Sequence, residues 1–319
     1  MKKIFIALTA LATIAACNKA EVIGISENEA ISFENPFVDN ATKAATDPSL
    51  GTTTNPFTSF NVWGTVGGVA IYNGAEVTGT VGSSIVDGKE TNLWTCAAVK
   101  QYWIKGAQYK FSALANAGTV TLGNDNLPAK TTVDASTAAL DVLYAEPVSR
   151  VGVASGNAPV EFTFNHLLSK VKFTVINNST DATGYSFDVK NITITCPKTG
   201  TVILAPKTDA TNPSDKTWEN LSTPAAYSMP TVTVNNSTAS AECASELLLI
   251  PGSVSINYTV DIKFGGTTIA THTPTAAYTA TLVGGNSYNF VVNVAVGEEI
   301  TFSVDLNPSW TVNDSITIQ

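Results

Sequence analysis

Charge is what this sequence is shortest of. Asp, Glu, Lys and Arg together make up 13% of its 319 residues, about half the usual share of a soluble globular chain. Arginine is nearly absent: Arg150 stands alone, and the formal charge is −9. An acidic, arginine-poor chain lacks the clustered cations that nucleic-acid backbones demand, so nucleic acid is excluded as a partner. Histidine is scarce too, with only His166 and His272 to serve as a base. GxSxG, HExxH, P-loop and CxxC motifs are all missing. The acids are scattered singly, without the paired carboxylates of glycosidases. Past residue 20 no long apolar stripe of helical period appears, and no second long apolar run follows the one at the start. Catalysis is not expected, nor is a metal or a cofactor.

Threonine, valine, serine, asparagine and alanine fill the space that charge leaves. β-Branched and small polar residues suit a pleated, half-solvated sheet, so composition points to an all-β protein. The length allows two domains, each with its own core.

The amino terminus reads as an export signal. Lys2-Lys3 precedes a short apolar core, too short for a comfortable membrane span. It ends Ile14-Ala15-Ala16-Cys17, which looks like a bacterial lipobox, and Cys17 is the expected acylation site. Asn18, unlike an aspartate there, does not resemble an inner-membrane retention signal. A lipid-anchored cell-envelope protein follows. Cys96, Cys196 and Cys243 remain, in no zinc or redox spacing, and read as small buried hydrophobes.

Residues 18–58 carry little core. Ile31 and Phe33 mark one short strand, and a Thr- and Pro-containing connector follows, in which the Lys43-Ala44 bond is open to a trypsin-like protease. The first compact region, 59–155, begins with strands around Phe60 and Val62 and around Val69 and Ile71. Gly64, Gly67 and Gly68 there supply turn or bulge chemistry. An aromatic run holds Trp94, Tyr102, Trp103, Tyr109 and Phe111; its alternation favours core packing over an exposed stacking platform. A short strand at 140–145 is expected to stop at Pro147.

Residues 152–159 (GVASGNAP) form the expected domain boundary, with the second compact region spanning 156–319. It opens on VEFTFNHLLSKVKFTVIN, two alternating half-strands around His166, which reads as a hydrogen-bonded structural residue at a seam. Short strands then alternate with turn signals, among them 185–189 and 192–195 as two separate strands. Gly265-Gly266 marks a tight hairpin. Alternation is strictest at 288–306, and the closing stretch 298–319 is rich in apolar residues. Many short strands without helices predict tandem sandwiches of antiparallel sheets. An apolar strand ending an exported protein is either buried in its own sheet or meant to recruit another chain.

Several of these features occur in a recognisable order: the lipobox; Ile31-Ser32-Phe33 and Thr42-Lys43-Ala44; Trp94 and Tyr102-Trp103 leading to Tyr109–Ala113; Asp141–Ala145; Phe162–Val175; and a terminal Gly-x-x-Tyr-x-Phe with a late tryptophan. In that order they resemble the fimbrillin-like proteins of Bacteroidetes, subunits and anchors of type V pili. The resemblance implies two transthyretin-like, Greek-key-like β-sandwiches in a lipidated outer-membrane precursor. It also implies proteolytic removal of the first strand and entry of a neighbour's carboxyl-terminal strand into the groove left behind. Cys17 would be the anchor, residues 18–43 the detachable strand, and Lys43-Ala44 the cut. Ile300, Phe302, Val304, Leu306, Trp310 and Val312 would form the donor, with other fimbrial subunits as head-to-tail partners. Such precursors usually offer an arginine at the cut, and Arg150 comes too late to release one strand. Either Lys43 substitutes, or the protein keeps its lipid as a basal anchor. The alternative is a tip or free surface adhesin that takes a host protein or glycan on the aromatic run.

Overall fold

The computed structural model describes residues 25–34, 37–38, 51–52, 55–56, 59–79, 85–86, 89–90, 94–136, 141–179, 183–207 and 212–307. Among the described residues every regular element is a strand, and no helix is long and apolar enough to cross a membrane.

The first half contributes β1 (Ile25–Ala30), β2 (Ser59–Val66), β3 (Val69–Thr78), β4 (Tyr102–Ile104) and β5 (Gln108–Ala115). It continues with β6 (Pro128–Asp134), β7 (Leu143–Val151) and β8 (Thr163–His166). One six-stranded sheet runs from Phe37–Val38 through β8, β7, β5 and β2 to β3, while among the described residues β1 pairs with β4 alone. The inner face of that sheet buries Phe60, Val62, Phe111, Phe162 and Phe164 with Ile31 and Phe33.

The other half holds β9 (Ser169–Asn177), β10 (Tyr185–Cys196), β11 (Thr199–Ile203), β12 (Gly252–Phe264), β13 (Thr267–His272), β14 (Ser287–Val294) and β15 (Thr301–Asn307). Two sheets face each other there, one carrying β9, β14 and β15, the other β10, β12 and β13. Between them lies a core of Phe173, Phe187, Ile194, Val260, Phe290 and their neighbours. Most pairings are antiparallel as expected, but β9 and β14 run parallel over their full register.

Both halves meet in a shared sheet. β6 pairs with β11 from Lys130↔Ile203 to Asp134↔Thr199. Under it lies a third apolar cluster of Trp63, Leu114, Tyr144, Leu167, Val202 and Ile250. This cluster covers the outer face of the first sheet, which is why β2 and β5 carry runs of consecutive buried residues instead of alternation. Lys216, almost wholly buried, pairs with Glu146 across the same junction and lies over the Tyr144 ring at 5.4 Å. The buried lysine has its charge partner, without which such a site would be strongly unfavourable.

Three sequence expectations change in detail. β7 does not stop at Pro147: it continues to Val151, and its register against β5 shifts between Phe111 and Ala113, opposite Val148 and Ala145. A bulge tolerates a residue with no N–H to donate. The stretch 185–195, read as two strands, is one strand. Its register shifts between Lys190 and Thr193, and Asn191 (φ 52°) takes up the left-handed step. The change of sheet falls after His166, not at 155/156, because Val160, Phe162 and Phe164 pack in the first core. The tight hairpin at Gly265 and Gly266 is present, with φ of 56° and 82°.

Candidate functional site

The amino-terminal strand sits inside the first sandwich. Ile31 and Phe33 point inward on the period-two spacing of a strand and are 4% and 0% exposed. The Phe33 ring stacks on Phe162 at 5.9 Å and meets Phe60, Tyr72 and Phe111 edge-on at 6.0, 6.0 and 6.3 Å. Burial pushes the Tyr72 phenol well above its ordinary value, so the ring stays neutral in this box.

Main-chain bonds hold the segment from both sides. On one side Ile31 N–H donates to Gln101 O at 2.8 Å, and Phe33 exchanges bonds with Trp94 at 2.9 and 3.1 Å. On the other side Glu34 N–H donates to Val160 O at 2.9 Å, and Val160 N–H donates to Ser32 O at 2.8 Å. Residues 31–34 thus form an interior strand between 94–101 and 160. Removing them would leave two rows of unpaired main-chain groups above an empty aromatic box.

The walls of this seat are built by the aromatic run. Trp94 is fully buried and stacks on Phe60 at 5.7 Å. Gly79 makes room for it, since a Cβ there would lie 2.4 Å from the indole. Trp103 packs edge-on against Tyr109 at 4.8 Å. The Tyr109 hydroxyl accepts from Ile104 N–H at 2.8 Å and donates to Tyr102 O at 3.2 Å, tying β4 down. Core packing, the favoured reading of this run, is what these rings do; Tyr102 alone is substantially exposed, at 38%.

A cleft of about 560 Å³ opens beside the strand, lined by Glu29, Ile31, Ser32, Thr95, Lys100 and Asn157 among others. Within it Asn157 Nδ2 donates to Glu29 Oε2 at 2.6 Å, while Asn157 Oδ1 accepts from Val153 N–H at 2.8 Å. Asn157 lies in the segment read as the domain boundary. Its clasp on Glu29 has no signal in the sequence, because the partners are 128 residues apart.

The opposite end of the chain is arranged differently. Among the described residues β15 lies at the edge of its sheet, paired with β14 from Ser287↔Asn307 to Asn293↔Thr301. Ile300, Phe302, Val304 and Leu306 are partly buried against the second core. Phe302 touches Phe173, Tyr258, Tyr278 and Phe290 at 6.3, 5.6, 4.3 and 5.9 Å. Three of the six donor candidates are therefore seated in their own sheet, and Ile300 packs against the same core just before it. Trp310, Val312, Cys17, Lys43 and Ala44 lie outside the described residues.

His166 is 2% exposed and pairs through Nδ1 with Asp141, just where the chain leaves the first sheet. Leu167 N–H donates to Val142 O beside it at 3.0 Å, so the pair braces the seam. His272 is exposed on β13. Cys96, Cys196 and Cys243 are buried free thiols, and burial pushes Cys196 up to about 11, away from thiolate reactivity. Among the described residues no three His, Cys, Asp or Glu side chains are grouped to hold a metal ion.

Residues 42–310 match a family model described as fimbrillin-like. No curated protein matches the chain. Among solved structures, a fimbrial protein from Bacteroides vulgatus is 15% identical, with a TM-score of 0.55 over 89% of this chain and 100% of that one. A fimbrial assembly protein from Parabacteroides distasonis is 14% identical, with a TM-score of 0.43 over 87% of this chain and 96% of that one.

Proposed function

Because the chain belongs to the fimbrillin-like family, we propose that it is a cell-surface fimbrial protein, a structural subunit or basal anchor, exported as a lipoprotein and assembled by strand exchange. The observation that carries this reading is the interior strand at 31–34, bonded on both sides yet placed ahead of nearly all the rest of the first sandwich in sequence. A strand at the chain's beginning can be released by one cut without severing the domain. A cut at Lys43-Ala44 would free it, and the open groove would accept a strand from the carboxyl-terminal segment 298–319 of a neighbour. Strand addition of this kind combines main-chain bonds with side-chain pockets. Its head-to-tail geometry does not close on itself and gives a filament.

An adhesive role for a free subunit would need a binding surface, and the aromatic run that suggested one is largely interior, with Trp94 and Trp103 at 0% and 2% exposure. The outer membrane is the proposed location of the precursor, held by lipid on Cys17, and no enzymatic activity is proposed.

Intact mass and amino-terminal sequencing of the protein recovered from isolated surface filaments test the reading. Chains beginning at Ala44 support the shaft subunit. Chains beginning at an acylated Cys17 support the basal anchor. Absence of the protein from any filament fraction removes both.

A further inference from the structure

The cations of this chain are unevenly placed. Among the described side chains eight lysines each pair with a carboxylate. Lys198 instead lies over the Tyr227 ring at 4.4 Å. That leaves Lys100, Lys105 and Arg150, the only arginine, without a carboxylate partner among the described side chains. Both lysines are exposed, and Arg150 is half-buried with Nη1 donating only to the carbonyl of Ser149.

The fold gathers these three cations at one end of the first sandwich. The turn at 105–106 joins β4 to β5, and Gly106 N–H donates to Gly152 O at 2.8 Å, just past Arg150 at the end of β7. Gly152 fits there because it has no side chain: a Cβ would lie 2.2 Å from Ile104 O. Ile104 lies opposite Ile25, the first residue of β1. Beside the cations Tyr102, Val151 and Val153 are 38%, 55% and 47% exposed. The nearby described carboxylates are engaged already, Glu29 with Asn157 and Asp125 with Lys110. The end is therefore both cationic and apolar, on a chain whose formal charge is −9.

We infer that this end of the first sandwich docks on a membrane surface of anionic headgroups. This rests on the lipid-anchor reading above and adds which face of the folded chain meets the bilayer. Ile25 follows Cys17 by eight residues, so the acylated end lies at most about 29 Å away even along a fully extended chain. A lipid–water boundary favours this make-up, with cations against headgroup phosphates and a tyrosine ring and short apolar side chains just beneath them. The acidic remainder of the molecule is repelled by the same headgroups, so the patch also orients the domain.

Site-directed fluorescence quenching on vesicles tests the contact. The full lipidated chain carries a fluorophore at Val153→Cys, or at Ile269→Cys on β13 as the remote control, since both sites are exposed. The unsubstituted chain is the labelling blank, because Cys96, Cys196 and Cys243 are buried. The vesicles are phosphatidylcholine with phosphatidylglycerol and a headgroup-attached quencher. Quenching at Val153 is expected to exceed that at Ile269 several-fold. It should drop to the Ile269 level in 1 M salt, where screening acts within about 3 Å, and also when Lys100→Glu, Lys105→Glu and Arg150→Glu are combined. Flotation with the vesicles should persist in both cases, because the lipid still holds the chain. Equal quenching at the two sites, or undiminished quenching on pure phosphatidylcholine, would overturn the inference and leave the anchor standing. Salt-sensitive self-association without quenching would also overturn it and assign the patch to an acidic protein partner. A chain that does not float and carries no acyl mass on Cys17 would overturn the anchor, and the inference with it.

Discussion

The two ends of this chain are both apolar strands, but they are held by different amounts of structure. Residues 31–34 are interior, with main-chain bonds on two sides and Phe33 wholly enclosed by four aromatic rings. Among the described residues β15 is an edge, bonded on one side, with Phe302 only partly buried. Position in a sheet, more than sequence, separates a strand that closes a core from one that can be spared. The early strand is hard to remove while attached to its domain. The late strand can leave its own sheet with fewer unpaired groups behind it.

The largest effect that tests this contrast is Phe33→Ala in the uncut chain. It should destabilise the first sandwich by about 3–5 kcal/mol, the usual range for a fully buried aromatic, measured by urea unfolding. Phe302→Ala should destabilise by less, about 1–3 kcal/mol, since burial there is partial. An equal or larger loss at Phe302 would break the comparison. Glu29→Ala removes the bond to Asn157 and should lower stability by about 1 kcal/mol, with faster proteolysis between residues 34 and 59 as a second readout. A neutral outcome would mean that the clasp does not hold the strand.

The smallest effect concerns charge on the edge strand. Burial holds the Asp305 carboxyl above its ordinary value, so folding favours the protonated form. Its unfavourable contribution is absent below the unfolded carboxylate range and grows as pH rises through the folded value. Asp305→Asn should therefore raise the melting temperature slightly at pH 7 and leave it unchanged at pH 3. A gain of the same size at both pH values would place the effect elsewhere than ionisation.

Much of the architecture was legible because strand periodicity is local. Ile31 and Phe33, the alternation at 288–306 and the Gly265-Gly266 hairpin all announce themselves within a few residues. The burial of Trp94 and Trp103 was legible in the same way, from alternation around Tyr109 and Phe111. Where the reading slipped, a distant partner had changed the local rule. Pro147 reads as a stop, yet a bulge opposite β5 lets the strand continue. Residues 152–159 look like a linker in composition, but Asn157 in that stretch grips Glu29. The core of the first sandwich claims Val160, Phe162 and Phe164, so the chain changes sheet only after His166.

By itself the sequence determined that this is an all-β chain with a distinct early strand and a strictly alternating late one. Side-chain spacing and composition carry that information, since each strand writes its own faces. Only the tertiary structure decided which strand is interior and which is an edge. It also decided that β6 and β11 bind the two halves through one sheet, and that β9 and β14 run parallel. Those outcomes depend on hydrogen bonds between residues far apart in the chain, and a period of two is the same whether a strand has one neighbour or two.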